Sequence, residues 1–375
     1  MKTIIFGNRA NIRSIGGVEN SIRSMALLAS KSSRVVIVCR RLRDGENTVP
    51  FMTNGSIEMY EYKEDFFGRN LARAYEKLKQ DYPQAIVISR HHLHCLAASK
   101  YFSNIKYLVP SVIKNQLSVE RTPLFSLRNQ SVNFSRVINT IRQNKAFVLS
   151  ERVYVFSETM HAQVISAGGK NLLDKIDIVK PGVDGERFRV RSPFERKALR
   201  ENLGVPLEKK IILFVGRLVQ AKGLSYLLDA IKSTNDNFVL LLLGQGALES
   251  NIRKFITDHN LNDKIFFLGP KGNVEDYYSV SDLFAMTSVY EPLGQTIIEA
   301  GASGLPIVAF SRASGVDTAT EELGLNDIIT YVDELHSTAL LEALNAGISK
   351  PYDPKEVERL VKTKYSWATL LEKLT

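Results

Sequence analysis

Cysteine is close to absent, with only Cys39 and Cys95 in 375 residues. The two lie far apart and outside any metal-ligand spacing. That excludes a disulfide framework and a cysteine-held zinc, and a reducing cytoplasm is the expected home. Long apolar runs are missing too. The strongest, Phe238–Leu243, has the length of a strand, whereas crossing a bilayer takes roughly 18–20 apolar residues. Met1-Lys2 leads directly into Thr-Ile-Ile-Phe and Gly7, too short for the apolar core of a signal peptide and expected as a first strand. No Walker-type phosphate loop occurs, because Gly169-Lys170 lacks both the upstream glycine and a following serine or threonine. Gly244-Gln-Gly246 stops short of a dinucleotide fingerprint, since Glu249 stands where the third glycine belongs. Histidines 91, 92 and 94 do not share the i, i+4 spacing of a helical zinc site, so no metal is expected there.

What is present is an ordinary globular composition, 44% apolar and 24% charged, in a chain long enough for two domains. Charge is uneven: residues 1–180 hold 27 Lys and Arg against 14 Asp and Glu, and the remainder 22 against 26. A basic first half fits an acidic acceptor or an anionic membrane surface. Nucleic acid is a weaker option, as no arginine-rich run or aromatic RNA-binding signature occurs.

Apolar runs alternate with helical patterns in both halves. Lys2–Phe6, Val35–Cys39, Ala85–Ser89, Lys106–Val109, Val153–Phe156 and Ile176–Val179 read as strands of a first domain. Ile211–Val215, Phe238–Leu243, Ile265–Leu268, Leu283–Met286 and Ile307–Phe310 read as strands of a second. Helical patterns such as Val18–Ala29, Phe67–Lys79 and Ala247–Asp258 fall between them. Such alternation predicts an α/β fold of two doubly wound parallel-sheet domains, hinged near Lys180-Pro181-Gly182, with ligand in a cleft between strand ends. The expected domains are 1–180 and 181–355.

Two segments carry chemistry. In Glu291-Pro-Leu-Gly-Gln-Thr-Ile-Ile-Glu-Ala300, Pro292 and Gly294 break any single helix, so Glu291 is expected in a loop and Thr296 near a helix start. The first amides of that helix lack internal partners and face the positive end of the dipole, which suits a phosphate. Glu299 follows one turn later, within reach of a hydroxyl-bearing group attached to that phosphate. The alternative is a loop–helix junction with two solvated carboxylates. The second segment is Lys210-Ile-Ile-Leu-Phe-Val-Gly216, a buried parallel strand ending in glycine. Arg217 follows at once, and Lys222-Gly223 opens the next helix. Two cations at the carboxyl end of a strand are placed as a diphosphate clamp, Arg as a planar fork and Lys as a point charge. The alternative is surface charge in a strand-to-helix loop.

Gly216-Arg217…Lys222-Gly223 and Glu291-Pro292-x-Gly294…Glu299-Ala300 together resemble the GT-B glycosyltransferases of family 4. Gly16-Gly17-Val18-Glu19, Pro181-Gly-Val-Asp184…Phe188 and Tyr365-Ser-Trp367 extend the likeness over nearly the whole chain. The resemblance implies a retaining transferase that moves a sugar from a nucleoside-diphosphate sugar, here a UDP-sugar, to an acceptor hydroxyl. Synthesis of a surface polysaccharide or glycolipid is the expected setting, with a soluble small-molecule acceptor as the alternative. It implies a last segment, 356–375, crossing back to the first domain; Pro354–Lys362 and Trp367–Leu374 are the candidates.

By resemblance, Arg217, Lys222, His91 and Glu291 are the catalytic set. Arg217 and Lys222 meet the charge on the leaving diphosphate, Glu291 holds donor-sugar hydroxyls, and His91, with His92 as second choice, orients the sugar. Donor binding is assigned to Gly16, Gly17, Gly216, Gly246, Lys271, Leu293, Gly294, Gln295, Thr296 and Glu299, the last on the ribose diol. Ser89 and Arg90 stand where relatives carry a histidine and a small residue, and Asn8-Arg-Ala-Asn-Ile-Arg13 is more polar and basic than the usual loop. No Asp-x-Asp occurs, so charge on the leaving group falls to the protein's own cations, with no cofactor or metal required. A nucleotide-sugar epimerase and a non-catalytic partner subunit on the same fold are the rival readings. Last, Phe134–Val148 has helical periodicity. Val137, Ile138, Ile141 and Val148 are apolar, Arg136, Arg142 and Lys145 are basic, and Arg121 and Arg128 lie upstream. The helix either packs its apolar face on the sheet or docks peripherally on an anionic membrane.

Overall fold

Thr3–Gly7 forms strand β1, whose Ile4, Ile5 and Phe6 are all buried, as in a strand covered by helices on both faces. The computed structural model describes residues 1–46, 48–51, 55–65, 68–115 and 127–375, without the side chains of 127–134. Around β1 the chain builds a seven-stranded parallel sheet from β2 (Arg34–Arg40), β3 (Ile57–Tyr62), β4 (Ile86–Ser89), β5 (Ile105–Leu108), β6 (Arg152–Val155) and β7 (Ile176–Ile178), in the order β3-β2-β1-β4-β5-β6-β7. Strand order reverses between β1 and β4, where Gly7 lies opposite Ser89. A crevice opens at the carboxyl ends of strands at such a switch point. The sequence reading did not anticipate β3. It is an edge strand whose apolar residues are interrupted by Glu58 and Glu61, so its pattern is weak.

The second sheet repeats the plan with β8 (Lys210–Val215), β9 (Phe238–Leu243), β10 (Ile265–Gly269) and β11 (Leu283–Met286). After a two-residue strand β12 (Tyr290–Glu291) come β13 (Ile307–Phe310), β14 (Asp317–Thr318) and β15 (Ile329–Val332). The order is β10-β9-β8-β11-β13-β15, with β12 and β14 paired apart from it. Ile211 and Leu213 pack into one core cluster and Ile212 and Phe214 into another, so alternate residues of β8 fill the layers on its two faces. Here the switch point falls between β8 and β11, which are neighbours in the sheet.

The chain divides into two units, Met1–Gly182 with Trp367–Thr375, and Val183–Ser366. The sequence-based boundaries at 180/181 and 355/356 shift accordingly. Helix Pro354–Lys364 does not return to the first unit: Val361 sits against Gly301, and the Tyr365 hydroxyl donates to Leu323 O at 2.6 Å within the second. Only helix Trp367–Leu374 returns. Tyr154 Oη donates to Lys373 O at 3.1 Å, and a Cβ on Gly182 would lie 2.2 Å from the Trp367 amide nitrogen. No described helix is long and apolar enough to cross a membrane.

Candidate functional site

The loops at the second unit's switch point are stapled together. Gly223 adopts φ 58°, and a Cβ there would lie 2.0 Å from Thr287 O, so the turn Gln220–Lys222 abuts the loop after β11. Thr287 Oγ1 donates to Lys222 O at 2.9 Å and the Val289 amide to Ala221 O at 2.9 Å. This contact carries Lys222 to Glu291, and Lys222 Nζ forms an ion pair with Glu291 Oε2. Glu291 Oε1 accepts from the Gly294 amide at 3.1 Å and, more weakly, from Leu293 at 3.5 Å. Burial alone would raise the Glu291 pKa. The lysine and these amides outweigh it and hold the carboxyl below its ordinary value, so the group is ionised.

This corrects two expectations. Glu291 stands in a short strand before the loop rather than in the loop itself, and its burial goes against the alternative of a solvated carboxylate. The Leu293 and Gly294 amides serve its carboxylate, so they are not open to a phosphate. Gln295 and Thr296 begin helix Gln295–Ala302, and Gly294 precedes it at φ 83°.

Arg217 follows β8, is exposed, and has no ion pair or side-chain hydrogen bond among the described residues. Neighbouring glycines fix its loop. Gly244 has φ 137°, and a Cβ on it would meet Gly216 O at 1.8 Å; one on Gly246 would meet Leu218 O at 2.4 Å. The Leu218 amide donates to Gln245 O at 2.9 Å. Gly216 and Gly246 therefore act first on the chain itself, bringing the loops after β8 and β9 into contact.

Glu299 is 6% exposed on helix Gln295–Ala302 and accepts from Tyr278 Oη at 3.2 Å. Burial pushes its pKa up to about 7, against the hydrogen bond from Tyr278 and the pull of Arg187. Arg187 itself is bound to Glu275 at 2.6 Å. Near neutrality Glu299 is thus divided between acid and carboxylate. Lys271 lies in the loop between β10 and helix Val274–Val280 and is half-buried. Sequence reasoning missed Tyr278 and Arg187; the aromatic pair Tyr277-Tyr278 resembles an ordinary core helix, and no local pattern links it to Glu299.

In the first unit, His91 caps helix His92–Ala98, its Nδ1 accepting from the Leu93 amide at 3.2 Å. Burial, with His92 and His94 beside it, lowers its pKa well below the usual value. A neutral ring that accepts at Nδ1 carries its proton on Nε2, which leaves Nε2–H as a donor. His92 stacks on it at 4.2 Å between ring centroids. His94 has a structural place: Tyr75 and Tyr62 hydroxyls lie 2.9 and 3.2 Å from its two ring nitrogens. Gly16 has extended backbone and Gly17 begins helix Gly17–Ala29. A Cβ on Gly16 would lie 2.1 Å from Glu19 Oε2, and Asn8 Nδ2 donates to Glu19 Oε1 at 2.7 Å. No cluster of three metal-ligating side chains occurs among the described residues.

Residues 195–366 match the family described as glycosyl transferases group 1. An uncharacterized glycosyltransferase of Methanocaldococcus jannaschii is 29% identical over 201 residues, 52% of this chain and 51% of the relative. The GDP-mannose-dependent monoacylated alpha-(1-6)-phosphatidylinositol monomannoside mannosyltransferase of Corynebacterium glutamicum is 29% identical over 204 residues, 52% and 53%. The chain thus spans about half the length of the curated relatives it matches. Among solved structures, Anabaena HepE in complex with UDP and glucose superposes with a TM-score of 0.74 at 18% identity, over 100% of this chain and 98% of that one. The fold is GT-B, two parallel-sheet α/β units.

Proposed function

We propose that the protein is a retaining family 4 glycosyltransferase that transfers a sugar from a UDP-sugar to an acceptor hydroxyl. The observation that carries this reading is what the switch point of the second sheet holds: the Lys222–Glu291 pair, buried Glu299 on the helix that follows, and, in the loop after β8, Arg217 with no ion pair among the described residues. HepE was solved with UDP and UDP-glucose, which supports uridine as the base. The Corynebacterium relative is named for GDP-mannose, so the base is an outcome of the test.

In the reaction the donor's anomeric C–O bond breaks and the nucleoside diphosphate leaves with the bonding electrons. The acceptor oxygen bonds to the same face of that carbon, and its proton passes to the departing phosphate. Negative charge grows on the bridging oxygen, so a fixed cation there lowers the barrier. Arg217, without an ion pair or side-chain hydrogen bond among the described residues, takes this role, and Lys222 supports it while fixing Glu291. An ionised Glu291 accepts hydrogen bonds from donor-sugar hydroxyls. Glu299 accepts from the ribose diol, and His91 Nε2–H donates to the sugar. The protein's own cations meet the leaving-group charge, with no metal required. Release of nucleoside diphosphate from a panel of UDP-, GDP- and ADP-sugars, with and without chelator, tests the whole reading. No release with any donor, together with no thermal stabilisation by the free diphosphates, overturns it. An epimerase would return an altered nucleotide sugar instead.

Synthesis of a surface polysaccharide or glycolipid, at the inner face of a membrane, is the setting we favour, because helix Leu127–Leu149 leaves several of its apolar residues exposed. Val137 is 56% exposed, Ile141 62% and Val148 46%, while Gln143, Ala146 and Phe147 face inward. Arg142 and Lys145 are exposed on the same helix. The arrangement favours docking on an anionic bilayer over the scaffold alternative, in which the apolar side would be buried. Arg121 lies outside the described residues, as does the side chain of Arg128.

A further inference from the structure

The loops that follow β1 and β4 meet at the first unit's switch point, and most cations there and at the neighbouring end of β2 are neutralised. Arg9 pairs with Glu64 at 2.7 Å, Arg13 with Glu61 at 3.7 Å, Arg43 with Glu64 at 2.6 Å, and Arg40 with Glu46. Arg90 differs. Its amide is tied to Gly7 O at 2.8 Å, it is 4% exposed, and its guanidinium lies over the Phe156 ring, 5.3 Å from the centroid. Nε and Nη1 have no hydrogen-bond partner among the described residues. Glu19 attracts the guanidinium, but its Oε1 already accepts from Asn8. Burial lowers the Arg90 pKa only to about 10, so the group stays charged at neutral pH.

A buried guanidinium with empty donors is unfavourable by several kcal/mol unless something fills them. Two more polar atoms on the same pair of loops are buried and unfilled: His92 Nε2 and Ser14 Oγ. His92 is itself steadied by a hydrogen bond with Asn139. Three residues with unused capacity lie on the segments that follow the adjacent strands β1 and β4, and one of them is cationic.

We propose that Arg90, with His92 and Ser14, binds an oxyanion carried by the acceptor, a phosphate ester or a carboxylate, beside the hydroxyl that receives the sugar. This rests on the transferase reading for the word acceptor, while the anion site itself does not. The second unit brings its own cation, Arg217, for the donor diphosphate. Arg90 is thereby left for a charge on the other substrate. A planar fork matches the paired oxygens of either group.

The test uses the full chain. Thermal shift with UDP alone reports on the donor reading. Inorganic phosphate or acetate is then titrated onto protein saturated with UDP, so that the donor's own phosphate subsite is filled; if UDP gives no shift, the titration is made in Arg217→Ala. Phosphate stabilisation would point to a phosphate ester, acetate stabilisation to a carboxylate. Arg90→Gln should weaken the oxyanion by roughly 10–100-fold, the scale of one charge-assisted pair, with UDP affinity unchanged. Arg90→Lys should retain part of it. Identical titrations in wild type and Arg90→Gln, or no stabilisation by either anion in wild type, overturn the proposal. Should the variants fail to fold, hydrogen exchange of residues 8–16 and 86–95 in the wild type decides: protection by the anion supports the site, and unchanged exchange overturns it.

Discussion

Lys222 and Glu291, 69 residues apart in the chain, form an ion pair beside the helix that begins at Gln295. Each is buried enough that the other largely sets its environment. Lys222 is therefore both a cation near the proposed diphosphate and the partner that keeps Glu291 ionised. Arg217, exposed and unpaired among the described residues, has no such second duty.

The two cations should separate in their effects. Arg217→Ala is expected to lower turnover by roughly 10²–10³ with thermal stability unchanged. Lys222→Ala should lower turnover on a similar scale and also destabilise the second unit, by about 3–5 kcal/mol, because it strands a buried carboxylate. Steady-state kinetics and melting curves on both variants check this; equal melting temperatures would remove the pair's structural role, and near-wild-type turnover in both would remove the clamp.

The two glutamates should also divide their ligands. Glu299→Ala should weaken free UDP and the UDP-sugar alike, since both carry the ribose. Glu291→Ala should weaken the UDP-sugar while sparing UDP. Calorimetric titration of each variant with both ligands is the check, and parallel losses across all four pairings would contradict the assignment.

Glu299 makes nucleotide binding depend on pH. Its carboxyl titrates at about 7 in the folded protein, above its ordinary 4.5. The ionised form accepts from a diol, so UDP should bind more tightly as pH rises through 7. Diphosphate ionisation adds its own slope, so Glu299→Gln is the reference: it should lack the part due to the carboxyl. The same shift has the opposite sign for the unliganded protein. The stabilisation that comes with a raised pKa is full below about 4.5 and lost as pH climbs through 7. Melting temperature followed from pH 5 to 8 should therefore fall less in Glu299→Gln than in wild type.

Membrane docking is expected to need both the apolar and the basic residues of helix Leu127–Leu149. Ile141→Glu or Val137→Glu should reduce co-sedimentation with anionic vesicles. Arg142→Gln with Lys145→Gln should weaken it in a salt-dependent way, each basic residue near the surface contributing about 1 kcal/mol. Absence of binding at low ionic strength would leave a soluble acceptor as the better account.

Much of this molecule was legible locally. Apolar runs of four to six residues located the buried strands of both sheets, because strands enclosed by helices are apolar on both faces and advertise themselves. Strand β3 and strand β15 were missed, since each closes an edge and mixes polar residues into its pattern. Helix Leu127–Leu149 was legible as a helix; which face it buries was not, because its periodicity carries apolar residues on both.

The residue types of the site and their order are written in the chain: Arg217 after a strand, Lys222 before a helix, Glu291 and Glu299 about a helix start. Those follow from short-range rules of strand length, glycine placement and helix initiation. Tertiary structure alone decided who partners whom. Lys222 and Glu291 meet because β8 and β11 are adjacent in the sheet, an outcome of long-range strand pairing that no local pattern encodes. The same pairing of distant segments buries Glu299 beside Tyr278 and leaves Arg90 Nε and Nη1 without a hydrogen-bond partner among the described residues. Burial and charge neighbours set ionisation, and both are properties of the folded arrangement rather than of the chain.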